Sequence, residues 1–277
     1  MRTFIATVMG SLLLSAPLTF AGAAKNENTP ASAPLSARDD QKTASDGLPR
    51  VSVPKVTQAV SLDGKGGDPA WNKAVKIELG DFWSKPDTIK TQATQVSLLH
   101  DGEKLYIAFD CADVDIQATR QEHDGQTFRD DCVEIFLGAP IERLADAACL
   151  EINALGTVAD YYYRHADWIN YRFESRARIA VSRTRFDGDD GKEMTGYRVE
   201  VGIEFSAFLP VLNFFAGEEA SSLSTGNMPV RIRANFARWD RGQRDAGGER
   251  FSIWSDPLFP FAHPHRPERY GWLVLEK

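Results

Sequence analysis

The chain has 277 residues, 43% of them hydrophobic, and a formal net charge of −7. Acidic overall, with Lys and Arg interspersed among Asp and Glu, it carries no electrostatic footprint for nucleic acid, and it has no basic amphipathic helix for a membrane surface. Its three cysteines (Cys111, Cys132 and Cys149) are too few and too far apart for a disulfide scaffold, and they match no zinc or redox spacing. One bridge fits their number, but buried free thiols are the ordinary reading.

In chain order, Arg2, the apolar run Phe4 to Leu18 and the small residues Ala21-Gly22-Ala23 predict a signal peptide over residues 1–23. The apolar run is short for a retained anchor, and no Cys stands near the cleavage point as in a lipoprotein. The expectation is therefore a secreted or periplasmic protein without membrane insertion. Residues 24–50 contain no aromatic and are rich in Ala, Ser, Pro, Asp and Lys, which predicts a disordered linker. Residues 51–277 are long enough for one domain with a sizeable core.

Within that domain, Asp68-Pro69-Ala70-Trp71 reads as a helix start, with Asp68 as N-cap and Pro69 at the first helical position. The Gly64-Lys65-Gly66-Gly67 cluster lacks strand-to-helix context and reads as a turn. Thr94 to Leu99 and Lys104 to Cys111 are strand-like around an Asp101-Gly102 hairpin turn. Further strands are expected at Asp131 to Leu137, Cys149 to Ala154, Asp160 to Tyr163, Phe173 to Thr184, Thr195 to Glu204, Val230 to Trp239, Phe251 to Trp254 and Gly271 to Glu276. Ser206 to Leu212 has the length of one or two helical turns. Many short strands between turn residues predict an all-β antiparallel sandwich with one or two short helices.

The run Arg129 to Leu137 is the most informative. Strand period two puts Val133, Ile135 and Leu137 on one face, as core, and Cys132, Glu134 and Phe136 on the other. A carboxylate in mid-strand beside an aromatic suits a polar cleft better than a packed interior. Signatures of serine hydrolases, zinc proteases, phosphate loops and dinucleotide folds are missing. Asp110, Asp113 and Asp115 offer hard oxygen ligands for calcium, although solvated loop carboxylates are the commoner case. His263-Pro264-His265 has imidazoles but no complete ligand set. Phe128, Trp83, Trp168 and Phe261 fall in expected loops, where a flat ring can stack on the apolar face of a sugar.

Several blocks together carry a resemblance. They are Leu62-Asp63-Gly64 with Asp68 to Ala74, Val96 to Leu99 with Leu105 to Ala108, and Asp131 to Phe136. Glu151-Ile152-Asn153 with Gly156, Tyr197 to Phe205, Asn235, Trp254-Ser255 and Arg269 to Leu273 complete the order. This succession resembles carbohydrate-binding module family 9 and its stand-alone secreted relatives, from Val60 to the C-terminus. The resemblance implies a DOMON-like β-sandwich, structural calcium, and a saccharide or polysaccharide ligand whose ring lies between two tryptophans. The first of those positions falls on Phe128, the sugar-contacting carboxylate on Glu134, and a polar contact on Arg233. The second tryptophan falls near Pro264, where Phe261, His263 and His265 are neighbours, and an arginine contact of the family aligns with Glu151. Glu134, Glu151 and Asn153 are then expected on one polar sheet face, neutralised by Arg233 and rimmed by Phe128. The expected function is non-catalytic carbohydrate binding, with no partner enzyme indicated. Two alternatives are a haem-binding electron-transfer sandwich using Met194 or Met228 with a histidine, and a glycoside hydrolase whose carboxylates meet only in the fold.

Overall fold

The computed structural model describes residues 47–85, 91–138, 146–164, 168–187, 193–208, 231–242 and 248–277. Fourteen strands appear among them: β1 (Arg50–Val53), β2 (Val75–Glu78), β3 (Gly80–Lys85), β4 (Thr94–His100), β5 (Lys104–Ala112), β6 (Cys132–Gly138), β7 (Asp146–Asn153), β8 (Val158–Arg164), β9 (Trp168–Asn170), β10 (Arg178–Asp187), β11 (Glu193–Glu204), β12 (Arg231–Arg241), β13 (Glu249–Ile253) and β14 (Gly271–Leu275). They form two sheets. The first runs β1-β14-β12-β6-β7-β8-β9, with β13 also pairing β12, and β3 pairing β13; the second runs β10-β11-β5-β4-β2. All pairings are antiparallel except β1 with β14. The chain is an all-β sandwich, as its alternation predicts.

The core lies between the sheets because each inner face is mainly apolar, with the buried Arg238 and Thr94 at one end. Val133, Ile135 and Leu137 of β6, Leu150 and Ile152 of β7, and Phe236 of β12 meet Val96, Ile107, Phe109, Val199 and Val201 from the second sheet. The outer face of the first sheet is also covered. Phe136, Cys149, Tyr161, Tyr163, Phe251 and Tyr270 form a second aromatic cluster there. Glu134 and Glu151 lie on that outer face, beneath the connection from β5 to β6. All three cysteines are buried and free.

Local chemistry explains the turns. Asp101 accepts the amides of Glu103 and Lys104 at 2.8 and 2.7 Å, closing the β4–β5 hairpin. Asp68 caps Pro69–Lys73, which is a 3-10 helix. The glycine cluster is a turn with a use. The amides of Asp63, Gly64 and Gly66 converge at 2.9 to 3.0 Å on the buried Glu200 carboxylate, which also accepts from Arg198. The anion this nest holds is a side chain of the same protein.

The strands depart from the sequence expectation mostly at edges. β1, β2, β3 and β9 were not expected, so Trp83 and Trp168 sit on strands rather than in loops. The strand expected from Phe173 begins at Arg178, because Phe173 and Ser175 belong to a buried connection. Of Ser206 to Leu212, residues 206–208 are helical and the rest lie outside the described residues. No helix among the described residues is long and apolar enough to cross a membrane.

Candidate functional site

The candidate site is on the outer face of the first sheet, under the connection between β5 and β6. Register pairs Glu134 with Glu151 across β6 and β7, and Glu134 with Ala237 across β6 and β12. The two carboxylates are therefore side by side on one face. Glu151 is held on both oxygens: Thr127 Oγ1 donates at 3.0 Å and the Tyr161 hydroxyl at 2.8 Å. Tyr161 lies in turn 3.1 Å from His265 Nε2. Glu134 differs, because its Oε2 is buried with no hydrogen-bond partner. Burial, and then the neighbouring Glu151 charge, hold the Glu134 carboxyl well above the usual range; burial also raises Glu151. The groups that favour its anion are the Arg241 guanidinium and the Trp239 side chain.

Those two groups open onto a cavity of about 370 Å³ lined by Arg120, Phe128, Arg129, Trp239, Arg241 and Glu249. Both rings, Phe128 and Trp239, are half-buried. The Thr127–Arg129 3-10 turn presents Phe128, and its carbonyl accepts from Arg241 Nε at 3.2 Å. Arg241 lies 3.7 Å above the Trp239 ring and bridges to Glu249 at 3.0 Å. Trp83 packs edge-on against Trp239 at 6.1 Å. The result is a pocket with two aromatic walls, three guanidiniums and a carboxylate, backed by a buried acid. Such a lining pairs apolar faces with fixed polar donors and acceptors. Two larger cavities, of about 680 and 490 Å³, lie over the second sheet. Their one aromatic lining residue is Trp71, which is 7% exposed.

A family model described as carbohydrate family 9 binding domain-like matches residues 62–276. The chain belongs to this family. Similar solved structures include a Bacteroides uniformis protein classed provisionally as carbohydrate-binding, with a TM-score of 0.60 and 18% identity, over 82% of this chain and 99% of that one. A family 9 carbohydrate-binding module from Caldicellulosiruptor kristjanssonii was solved with cellotriose and with glucose. Both structures give a TM-score of 0.52 at 16% identity over 82% of this chain, and over 93% and 95% of theirs. At such identities the likeness speaks for the fold. No curated protein matches.

Within this family 9 frame, the expected site residues separate into two groups. Glu134, Glu151 and Phe128 come together. Asn153 is turned to structure: its amide nitrogen donates to the Arg120 carbonyl and to Asp130 at 2.8 and 2.9 Å, and its oxygen accepts from Leu155 and Thr157. Arg233 lies two residues before Asn235 on the same face, opposite Gly138 and away from Glu134, which faces Ala237. Its Nη1 donates to the Glu268 and Tyr270 carbonyls, both at 3.2 Å, and its guanidinium stacks 4.3 Å over Trp272. The cation facing Glu134 is Arg241, so the neutralising role expected of Arg233 is corrected. Phe261 is 50% exposed and stacks with Phe259 and His263, at 5.5 and 5.8 Å, outside the Phe128 cavity. The sequence reading missed Trp239 and Arg241. Their signal was the continued alternation of β12 past Ala237, which puts both on the face of Glu134.

The expected calcium triad does not form. Asp110 pairs with Arg198 at 2.6 Å on the second sheet, whereas Asp113 gathers with Asp131 and Asp240 at the buried end of β12. That cluster does not fit a calcium ion. Arg238 donates to Asp113 at 2.8 Å, Arg250 lies 3.4 Å from Asp240, and backbone amides of Asp115, Gln117 and Arg241 occupy oxygens of Asp113 and Asp131. Guanidiniums already supply the positive charge. For the haem alternative, Met194 is on β11 and Met228 lies outside the described residues.

Proposed function

We infer that the chain is an exported, non-catalytic saccharide-binding domain whose sugar seat is the cavity between Phe128 and Trp239. The observation that carries this reading is the buried, unpartnered Glu134 Oε2 immediately behind the Trp239 and Arg241 wall. Burial holds the Glu134 carboxyl above its usual range behind that wall, while Arg120, Arg129 and Arg241 line the cavity as donors to sugar hydroxyls. The two rings cover the apolar faces of the sugar. The family 9 match and relatives solved with cellotriose and glucose support the ligand class. Catalysis is disfavoured because Glu134 and Glu151 share one face of neighbouring strands instead of facing each other across a cleft, where a scissile bond needs them.

The test is a glycan screen followed by calorimetry with cellotriose or the best hit. Trp239→Ala and Phe128→Ala are each expected to weaken binding at least about tenfold, or roughly 1.4 kcal/mol, with folding retained by circular dichroism. Arg233→Lys is expected to bind as the wild type. Undiminished binding in Trp239→Ala, or reducing ends released by the wild type and lost in Glu134→Gln, contradicts the reading.

A further inference from the structure

Apart from the tri-aspartate cluster, two connections and a strand meet around one imidazole. His123 belongs to the β5–β6 connection, Asp160 to β8, and Glu174 to the segment between β9 and β10. His123 Nε2 lies 3.6 Å from Asp160 Oδ1, 3.6 Å from Glu174 Oε2 and 3.7 Å from Asp124 Oδ1. None of these is a hydrogen-bonding distance. Zinc bonds of about 2.0–2.2 Å at tetrahedral angles hold neighbouring ligand atoms roughly 3.3–3.5 Å apart, close to the two 3.6 Å distances from His123, and the ligand atoms of His123, Asp160 and Glu174 all lie within 4.8 Å of one another.

A second observation points to a ligand. Asp160 is 2% exposed, and its Oδ1 has no hydrogen-bond partner although it faces His123. Its other oxygen accepts the Ser175 amide, so the side chain is held in place from behind. Asp124 Oδ1 accepts the Asp160 amide at 3.2 Å, which fixes the same corner from the His123 side. A buried carboxylate oxygen left unpaired costs free energy that an ion would recover. No Lys or Arg is ion-paired with Asp160 or Glu174 among the described residues, unlike the tri-aspartate cluster.

The geometry points to a divalent transition-metal site, of the zinc class, formed by His123, Asp160 and Glu174 with Asp124 beside it. One imidazole with carboxylates suits zinc, whereas calcium takes oxygen alone. An ion there cross-links the connection that carries Phe128 to β8 and to the segment before β10. Only that consequence for the sugar seat rests on the functional reading above; the site itself does not.

The experiment is calorimetry of zinc chloride into the metal-stripped full chain, with cobalt(II) absorption as a second readout. The expected result is one equivalent of zinc and a cobalt spectrum of low-coordinate intensity. His123→Ala and Glu174→Gln, both at exposed positions, are expected to lose about tenfold or more in affinity. His263→Ala, in the His263–His265 pair, is the control and is expected to bind normally. The proposal is overturned by absent zinc binding, by binding unchanged in His123→Ala, by loss in His263→Ala alone, or by calcium binding tighter than zinc. Because none of these readouts uses sugar, failure here is distinguishable from failure of the saccharide seat.

Discussion

Asp131 and Glu134 are three residues apart and illustrate how one acidic run is divided between structure and site. Asp131 is fully buried at the end of the sandwich, where it accepts the Arg241 and Gln117 amides. Burial, and then the Asp113 charge, push its carboxyl up to about 8. An unfolded Asp titrates near 3.9. Between about pH 4 and 8 the folded chain therefore holds a proton that the unfolded chain has lost, and stability falls as pH rises through that window. Asp131→Asn removes the titration. Its stability relative to wild type, from urea unfolding, is expected to improve between about pH 5 and 8.5 by up to about 4 kcal/mol, since each of the roughly three units below the folded value is worth up to about 1.4 kcal/mol. Parallel stability curves would refute the assignment. In the sequence, the acidic run and its alternation gave away Glu134 and its face. The partners of Asp131 were hidden, because Asp113, Asp240 and Arg238 reach it only through strand order.

At the scale of elements, the turn from Asp63 to Gly67 joins local to distant structure. Gly64 has φ +72°, and a Cβ there would stand 2.9 Å from the Val181 carbonyl carbon of β10. Gly64→Ala is expected to cost about 1–3 kcal/mol in chemical denaturation. It would also loosen the amide nest on Glu200; a cost within error of zero would contradict the close packing. The turn itself was legible from its glycines, but not its anion, since Glu200 is more than a hundred residues away. Long central strands were equally legible: β5, β6 and β11 each show the apolar side that faces the other sheet at period two. The edge strands β3 and β9 were not, because Gly80 and Asp81 break the one apolar pattern and three residues carry the other. Arg233 and Asn153 show the limit of alternation. It placed both on the expected face, but which groups meet there is decided by loops such as Arg266 to Tyr270, whose carbonyls capture Arg233.

For the whole molecule, two covered faces on one sheet are the decisive feature. The inner face packs on the second sheet, while the outer face carries aromatic side chains, two carboxylates and connecting segments that leave an opening between Phe128 and Trp239. Family 9 membership accounts for the fold, and the opening is the seat proposed above for a saccharide. The most direct test follows the indole N–H signals of the six tryptophans by ¹H–¹⁵N NMR during titration with cellotriose or the best glycan hit. The account predicts that the Trp239 signal moves most and saturates with the calorimetric affinity, with Trp83 following through their ring contact. Saturable movement of Trp71 alone, over the second sheet, or no movement with any glycan, would contradict it.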